Sequence, residues 1–355
     1  MQTNKKILIT WGLWYIGSHT AVVLGQAGYE LIIVDNLSNS HESTLKVIQS
    51  LTGKKIKFYE VDIRNYEDLE KIFKKHAEEI WLVIHFAAKK SVGESCQDPF
   101  LYYDNNILGT IQVLKAMEDY DIKNIIFSSS AAVYDAENLL PPFSEGDRTK
   151  TTNPYGTTKL MIESLLRDMV MHKWFSAIAL RYFNPIGAHE SYLLWENPKG
   201  IPSNLLPFVL KVAQEKIEQF NVFGDDYETE DGTGIRDYIH VMDVAEAHSA
   251  AANYLLERDQ INETSELYIA EPTFEVVNIG TGYGKSVKEM ITIVESIVGK
   301  EIPCTIIERR SGDVAVSLAN PLKAKKLFDR EAKRTILQAV EDARTYLQKE
   351  EEKSE

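Results

Sequence analysis

Lys6-Ile7-Leu8-Ile9-Thr10-Trp11-Gly12-Leu13-Trp14-Tyr15-Ile16-Gly17 is the stretch that decides the fold. Residues 6–10 form an apolar, β-branched run of strand length, and 15–27 follow a glycine-containing turn as a helix. Residues 31–34 read as a second strand, which Asp35 closes eighteen residues after Gly17. Strand, turn, helix, strand and acid make a dinucleotide-binding unit. The helix start offers backbone N–H groups to a pyrophosphate, and the acid accepts hydrogen bonds from an adenosine ribose. The charge of Asp35 repels a 2′-phosphate, which favours NAD over NADP. Outside this context Asp35 would read as a turn residue ahead of Asn36.

The turn breaks its own pattern. This spacing calls for glycine at 11, 14 and 17, and only Gly17 is present beside Gly12. The first glycine makes the tight turn and the second lets the backbone approach the pyrophosphate. A left-handed residue other than glycine costs about 1–2 kcal/mol. The indole at 14 is the larger obstacle, because it claims space meant for phosphate. Taken alone, the loop favours Trp11 and Trp14 as core residues of a fold that binds no dinucleotide.

Outward from this unit, strands and helices alternate. Residues 56–60, 82–86, 125–129 and 177–181 read as strands, and 101–117 and 154–171 as helices. Such alternation predicts an α/β fold, a doubly wound parallel sheet of Rossmann type. Ligands lie beyond the carboxyl ends of such strands, so residues 12–17, Asp35, 87–90, 128–130 and 182–187 are expected around one crevice. The second half is richer in Pro and Gly. Residues 241–256 read as a helix and 275–279 as a strand returning to the sheet. The expected division is a dinucleotide-binding domain, 1–183 with 241–279, and a smaller C-terminal substrate-binding α/β domain, 184–240 with 280–347. The charged tail, 348–355, is expected to be solvated and frayed.

Composition excludes several classes. The net charge is −14, from 53 acidic and 39 basic residues, which argues against nucleic acid as a partner. Hydrophobic residues make up 44%, enough for a sizeable core. Cys96 and Cys304 lie too far apart for a disulfide framework or a metal site, and fit a reducing compartment. Ile7–Ile9 is too short for a signal core or a membrane span, so a soluble, cytoplasmic protein is expected.

A reaction centre can be read further along. Tyr155 and Lys159 stand at i and i+4 on one helix face. A nearby ammonium stabilises phenolate, so Lys159 is expected to lower the Tyr155 pKa and make it a general base. Ser130 ends a strand at the crevice, twenty-five residues before Tyr155, where its hydroxyl can bond the same substrate oxygen. Each signal is weak by itself: most such Tyr–Lys pairs are surface decoration, and a serine run is more often loop chemistry.

Together with blocks elsewhere they are not weak. His85-Phe86-Ala87-Ala88, Val92-Gly93-Glu94-Ser95 and Tyr103-Asp104-Asn105-Asn106 belong to this set. So do Ser130-Ala131-Ala132-Val133-Tyr134, Asn153-Pro154-Tyr155-Gly156 and Arg181-Tyr182-Phe183-Asn184-Pro185. Pro202-Ser203-Asn204-Leu205, Gly234-Ile235-Arg236-Asp237-Tyr238 and Arg309-Arg310-Ser311-Gly312-Asp313 complete it. In consistent order from about Ile7 to Leu347, they resemble the UDP-galactose (UDP-glucose) 4-epimerases. The resemblance implies reversible 4-epimerisation of UDP-hexoses through a 4-keto sugar, in galactose metabolism, with bound NAD regenerated each turnover.

It also implies roles. Tyr155 would deprotonate the sugar 4-OH, Lys159 would tune it and hold the nicotinamide ribose, and Ser130 would bond the same oxygen. Gly12, Tyr15, Ile16, Gly17, Asp35, Asn36, Asp62, Ile63, Phe86, Ala87, Lys90, Asn105 and Phe183 would line the NAD site. Asn184, Asn204, Arg236, Arg310 and Asp313 would hold UDP, the arginines through charge-assisted bonds to diphosphate. Outside these blocks each arginine would read as a surface ion pair. No metal is implied. Helices 101–117 and 154–171 would form a homodimer interface.

The chain departs from the family at Trp11, Trp14, Asp135, Tyr192 and Trp195, all lost glycines, and at Phe328-Asp329-Arg330. A UGA triplet read as glycine in the source and as tryptophan on paper would account for Trp11, Trp14 and Trp195, but not for Tyr192 or Asp135. Ser317 stands where relatives restricted to plain hexoses often carry a bulky Tyr, so N-acetylated UDP-hexosamines are expected substrates too. Three rivals remain. A 4,6-dehydratase would need an acidic pair where Ser129 and Ser130 stand. A UDP-glucuronate epimerase or decarboxylase would need an added arginine. A cofactor-free binding protein would suit Trp11 and Trp14.

Overall fold

A computed structural model of the chain describes residues 5–200, 202–264, 271–310 and 312–352. Met1–Asn4, Ile201, Ser311 and Lys353–Glu355, all within stretches read above, lie outside the described residues.

The buried apolar runs become a parallel sheet. Its strands are β1 (Lys6–Thr10), β2 (Glu30–Asp35), β3 (Lys57–Glu60), β4 (Ile80–His85), β5 (Asn124–Ser130) and β6 (Ser176–Tyr182), joined by Phe274–Ile279. Across the sheet the order is Phe274–Ile279, β6, β5, β4, β1, β2, β3, with every pairing parallel. The order reverses beside β1, and the crevice opens at that switch. Strand β4 is buried along its whole length, as a strand covered by helices on both faces must be. Two apolar clusters, one on each face, hold the helices: Ile7, Ile9 and Ile33 point into one, Leu8, Ile32 and Val34 into the other.

Helix α1 (Tyr15–Gln26) follows β1, and α2 (Ser43–Thr52) and α3 (Tyr66–His76) flank β2 and β3. The expected single helix over 101–117 is instead three segments. Residues Pro99–Tyr102 are α-helical, Tyr103–Leu108 form a π-turn, and Gly109–Asp119 resume the α-helix. The wider turn gives Asn106 room to accept from Lys89 N (2.8 Å) and donate to Lys89 O (3.1 Å) and Thr158 Oγ1 (3.0 Å), which pins the chain ahead of Lys90.

A second layer covers the crevice. Ile235–His240 pairs with Asn184–Ile186, Gly284–Ser286 and Val316–Ser317, and Phe220–Phe223 pairs with Cys304–Ile307. Val241–Thr264 runs from the end of this layer back across the sheet beside α1. The tail is not frayed up to Glu352. Ile336–Glu352 is one helix, and Gln214 and Lys216 both bond Glu351, at 2.8 and 3.2 Å.

Candidate active site

Two cavities lie over the carboxyl ends of the strands, of about 520 and 570 Å³. Asp35, Asn36, Ile63, Ala87 and Asn105 line the one beside β2. Ser130, Tyr155, Lys159 and Phe183 line the other, with Asn184, Asn204, Arg236, Arg310, Asp313 and Ser317 opposite. Tyr15, Ile16, Gly17 and Phe86 also face this second cavity, and Lys90 faces both. Gly12 and Asp62 line neither. Gly12 packs on β2, where a Cβ would meet Ile33 Cγ2 at 3.0 Å. Asp62 is held by Arg64 (2.8 Å) and Asn36 (3.2 Å), and the guanidinium holds its carboxyl down at about 2.

The catalytic trio is built by local rules. Asn153 caps the helix Pro154–Lys173, accepting from Gly156 N at 2.8 Å, with Pro154 in the first turn. Gly156 is needed there: a Cβ would sit 2.6 Å from Ala132 O. The cap thus sets Tyr155 and Lys159 against the end of β5. Lys159 Nζ donates to Ser128 O at 2.6 Å and lies 4.8 Å from the Phe127 ring and 5.8 Å from the Tyr155 ring.

The electrostatics overturn one expectation. Burial pushes the Tyr155 phenol above its usual value, and the Ser130 hydrogen bond only partly offsets this. Burial also lowers Lys159 to about 7, against the opposing charge of Glu163. A lysine near neutrality lends little cationic stabilisation, so desolvation outweighs the helical Tyr–Lys spacing.

Two carboxylates that sequence reading missed organise the site. Glu163 lies one turn beyond Lys159 and is buried. It accepts from Arg181 Nε and Nη2 (2.8 and 2.6 Å) and from Ser129 Oγ (2.6 Å). Its i+4 spacing from Lys159 was the available signal. Glu196 accepts from Lys90 Nζ and Asn204 Nδ2, both at 2.7 Å, and so ties a residue of the cofactor side to one of the substrate side. A lone loop glutamate carries no periodic signal.

Residues suited to a dinucleotide stand at both ends of its path, and two indoles stand in the middle. Asp35 accepts from Leu13 N (3.1 Å), Leu37 N (2.9 Å) and Ser40 Oγ (2.7 Å), in place for a ribose at the first cavity. Between the cavities, Trp11 and Trp14 belong to both walls, their rings stacked 5.8 Å apart, with Lys90 Nζ 5.5 Å from the Trp14 ring. A pyrophosphate joining the two ends has to cross this seam.

The model for the NAD dependent epimerase/dehydratase family matches residues 7–263. The chain belongs to that family. The UDP-glucose 4-epimerase of Bacillus subtilis is 46% identical to this epimerase/dehydratase over 95% of each chain. A crystal structure of the Bifidobacterium longum UDP-glucose 4-epimerase with NAD+ and UDP superposes with a TM-score of 0.90, at 43% identity, covering 97% of this chain and 98% of that one. The UDP-Glc/GlcNAc 4-epimerase of Campylobacter jejuni superposes at 0.79, with 33% identity over 97% and 99% of the chains. Within the family, such relatives weigh against the cofactor-free reading. Among the described residues of this family member no helix is long and apolar enough to cross a membrane, and no cluster of three or more His, Cys, Asp or Glu could hold a metal ion.

Proposed function

We propose that this chain interconverts UDP-glucose and UDP-galactose at C4 through a 4-keto sugar, as a cytoplasmic enzyme of galactose metabolism. One observation carries the reading: Ser130, Tyr155 and Lys159 share a cavity with Asn204, Arg236, Arg310 and Asp313. One wall can exchange a proton with a hydroxyl, and the other can grip a nucleoside diphosphate.

The roles follow from that division. Arg236 and Arg310 hold the diphosphate, which fixes the nucleotide and leaves the hexose free to turn. Asn184, Asn204 and Asp313 orient the UDP half. Tyr155 Oη takes the proton of the 4-OH and returns it, while Ser130 Oγ bonds the same oxygen. NAD, when bound, supplies the reversible acceptor for the C4 hydrogen. Asp35, Asn36, Ile63, Phe86, Ala87, Lys90, Asn105 and Phe183 would hold it, with Tyr15, Ile16 and Gly17 beneath the phosphates, while Gly12 and Asp62, which line neither cavity, would support the loop and the adenine side from behind. Residues 1–183 with 241–279 thus carry the cofactor, and 184–240 with 280–347 the nucleotide sugar.

Ser317, beside Arg236 on paired strands, keeps the cavity wall short and supports turnover of N-acetylated sugars as well. Exposed Leu108, Ile111 and Met161, within the stretches 101–117 and 154–171 expected at an interface, with Phe100 beside the first, support a homodimer; equilibrium sedimentation checks it. The function is tested by incubating the protein purified from its own cells with UDP-galactose and following UDP-glucose, beside its Tyr155→Phe form. Conversion that Tyr155→Phe abolishes is expected, and equal conversion by both forms would refute the assignment.

A further inference from the structure

The seam between the cavities is made of two residues whose side chains the surrounding backbone does not call for. Trp11 has φ +56, in the left-handed region. Its N–H is bonded to Val34 O at 2.6 Å, so the strand-to-helix turn dictates this conformation and the indole does not. The turn is also closed from the other side, since a Cβ on Gly17 would sit 2.4 Å from Trp11 O. A bulky residue with no short polar side chain has nothing local to offset such a φ.

The same anomaly recurs far from the site. Trp174 ends the helix Pro154–Lys173 with φ +59, at the left-handed C-terminal position that glycine ordinarily fills. Its ring is 65% exposed, so burial does not explain it. Trp14 has an ordinary backbone (φ −86, ψ 166), and there the side chain is the obstacle. It fills the start of α1, where a phosphate would meet the helix N–H groups. The other two tryptophans differ. Trp81 is buried inside β4 near Tyr29, and Trp195 is buried near Tyr346. Neither has a left-handed backbone, so the structure gives no support to glycine at 195, which the sequence offered as a UGA position beside 11 and 14.

We propose that the protein made in its own cells carries glycine at 11, 14 and 174, and that glycine at 11 and 14 joins the two cavities into one dinucleotide site. The inference rests on the cofactor reading above. One cause covers all three positions: a UGA triplet that the source decodes as glycine. The left-handed backbone at 174, a position outside the site, separates this cause from local decay of the cofactor loop. Leu37, Asp121, Tyr192, Glu215 and Asp329 are also left-handed, at φ +52 to +62, and are not explained by it.

Two measurements test the proposal. The codons of the gene are expected to be UGA at 11, 14 and 174 and UGG at 81; UGG at both 11 and 174 would overturn it, whether or not any form of the protein folds. Next, the tryptophan form and W11G/W14G are purified, their folding compared by circular dichroism, and NAD released by acid denaturation is quantified. The glycine form is expected to release NAD in proportion to protein, and the tryptophan form little. A control, W81F, should behave as its parent. Stoichiometric NAD from the tryptophan form overturns the proposal, as does a folded glycine form with none. A glycine form that holds NAD but leaves UDP-galactose unchanged would sink the catalytic reading and leave this one standing.

Discussion

Replacing Lys159 with methionine should abolish activity and, at pH 6, make the protein more stable. The ammonium is buried, and burial pulls its pKa from 10.5 to about 7. Holding the charge in the fold below pH 7 therefore costs about 5 kcal/mol. Methionine has similar length and no charge, but it orphans Ser128 O, which loses the 2.6 Å bond from Nζ. That loss costs about 1–3 kcal/mol, so the variant should gain roughly 2–4 kcal/mol at pH 6. The sign with pH follows from the depressed value. Between about pH 7 and 10.5 the unfolded chain binds the proton and the folded one does not, so the parent gains stability as pH rises. By pH 9 the cost of the charge has fallen to about 2 kcal/mol, and the advantage of methionine should nearly vanish. Urea midpoints of the two proteins at pH 6 and pH 9 measure this directly. A variant less stable than its parent at pH 6, or an advantage that grows with pH, would show that burial does not suppress this ammonium.

Glu163→Gln strands the buried Arg181 guanidinium and should cost about 3–5 kcal/mol, read as a lower urea midpoint. It also removes the charge that holds Lys159 up, so the rise of stability with pH should begin lower. Gly17→Ala drives a Cβ into Trp11 O, 2.4 Å away, and should cost about 1–3 kcal/mol while loosening the cofactor loop; thermal unfolding checks the first. Ser317→Tyr should remove turnover of UDP-GlcNAc and leave that of UDP-glucose, measured side by side. Retention of both would place Ser317 outside the sugar's surroundings.

Much of the fold was legible because a parallel sheet writes itself plainly. Strands buried on both faces, such as β4, appear as unbroken apolar runs. Even the return of Phe274–Ile279 to the sheet was visible in Val276-Val277. What the sequence hid were elements whose stability is not periodic. The π-turn at Tyr103–Leu108 exists because Asn106 bonds Lys89 and Thr158, partners distant in sequence. The pair Phe220–Phe223 and Cys304–Ile307 is too short to alternate, and its second strand is exposed throughout. The tail reads as charge without an apolar face beyond Leu347, yet Glu351 reaches Gln214 and Lys216 and keeps the helix docked.

The site was legible as identity and not as energy. Spacing pointed weakly to Tyr155, Lys159 and Ser130, the family blocks gave them weight, and the three line one cavity. Spacing also implied that the lysine activates the tyrosine, and that inference treated the pair as if it stood in water. Burial moves the two groups in opposite directions, the phenol up and the amine down to about 7. Glu163, the carboxylate one turn further along, opposes the second shift but is itself spent on Arg181 and Ser129. Near neutral pH these side chains by themselves present a phenol beside an amine that is only partly charged. Base strength at Tyr155 has to come with what binds there, through a cation brought against the ring or the exclusion of water from the hydroxyl it bonds. Tyr155 by itself is a poor base, and glycine at 11 and 14, by admitting the dinucleotide beside it, would supply what the lysine does not.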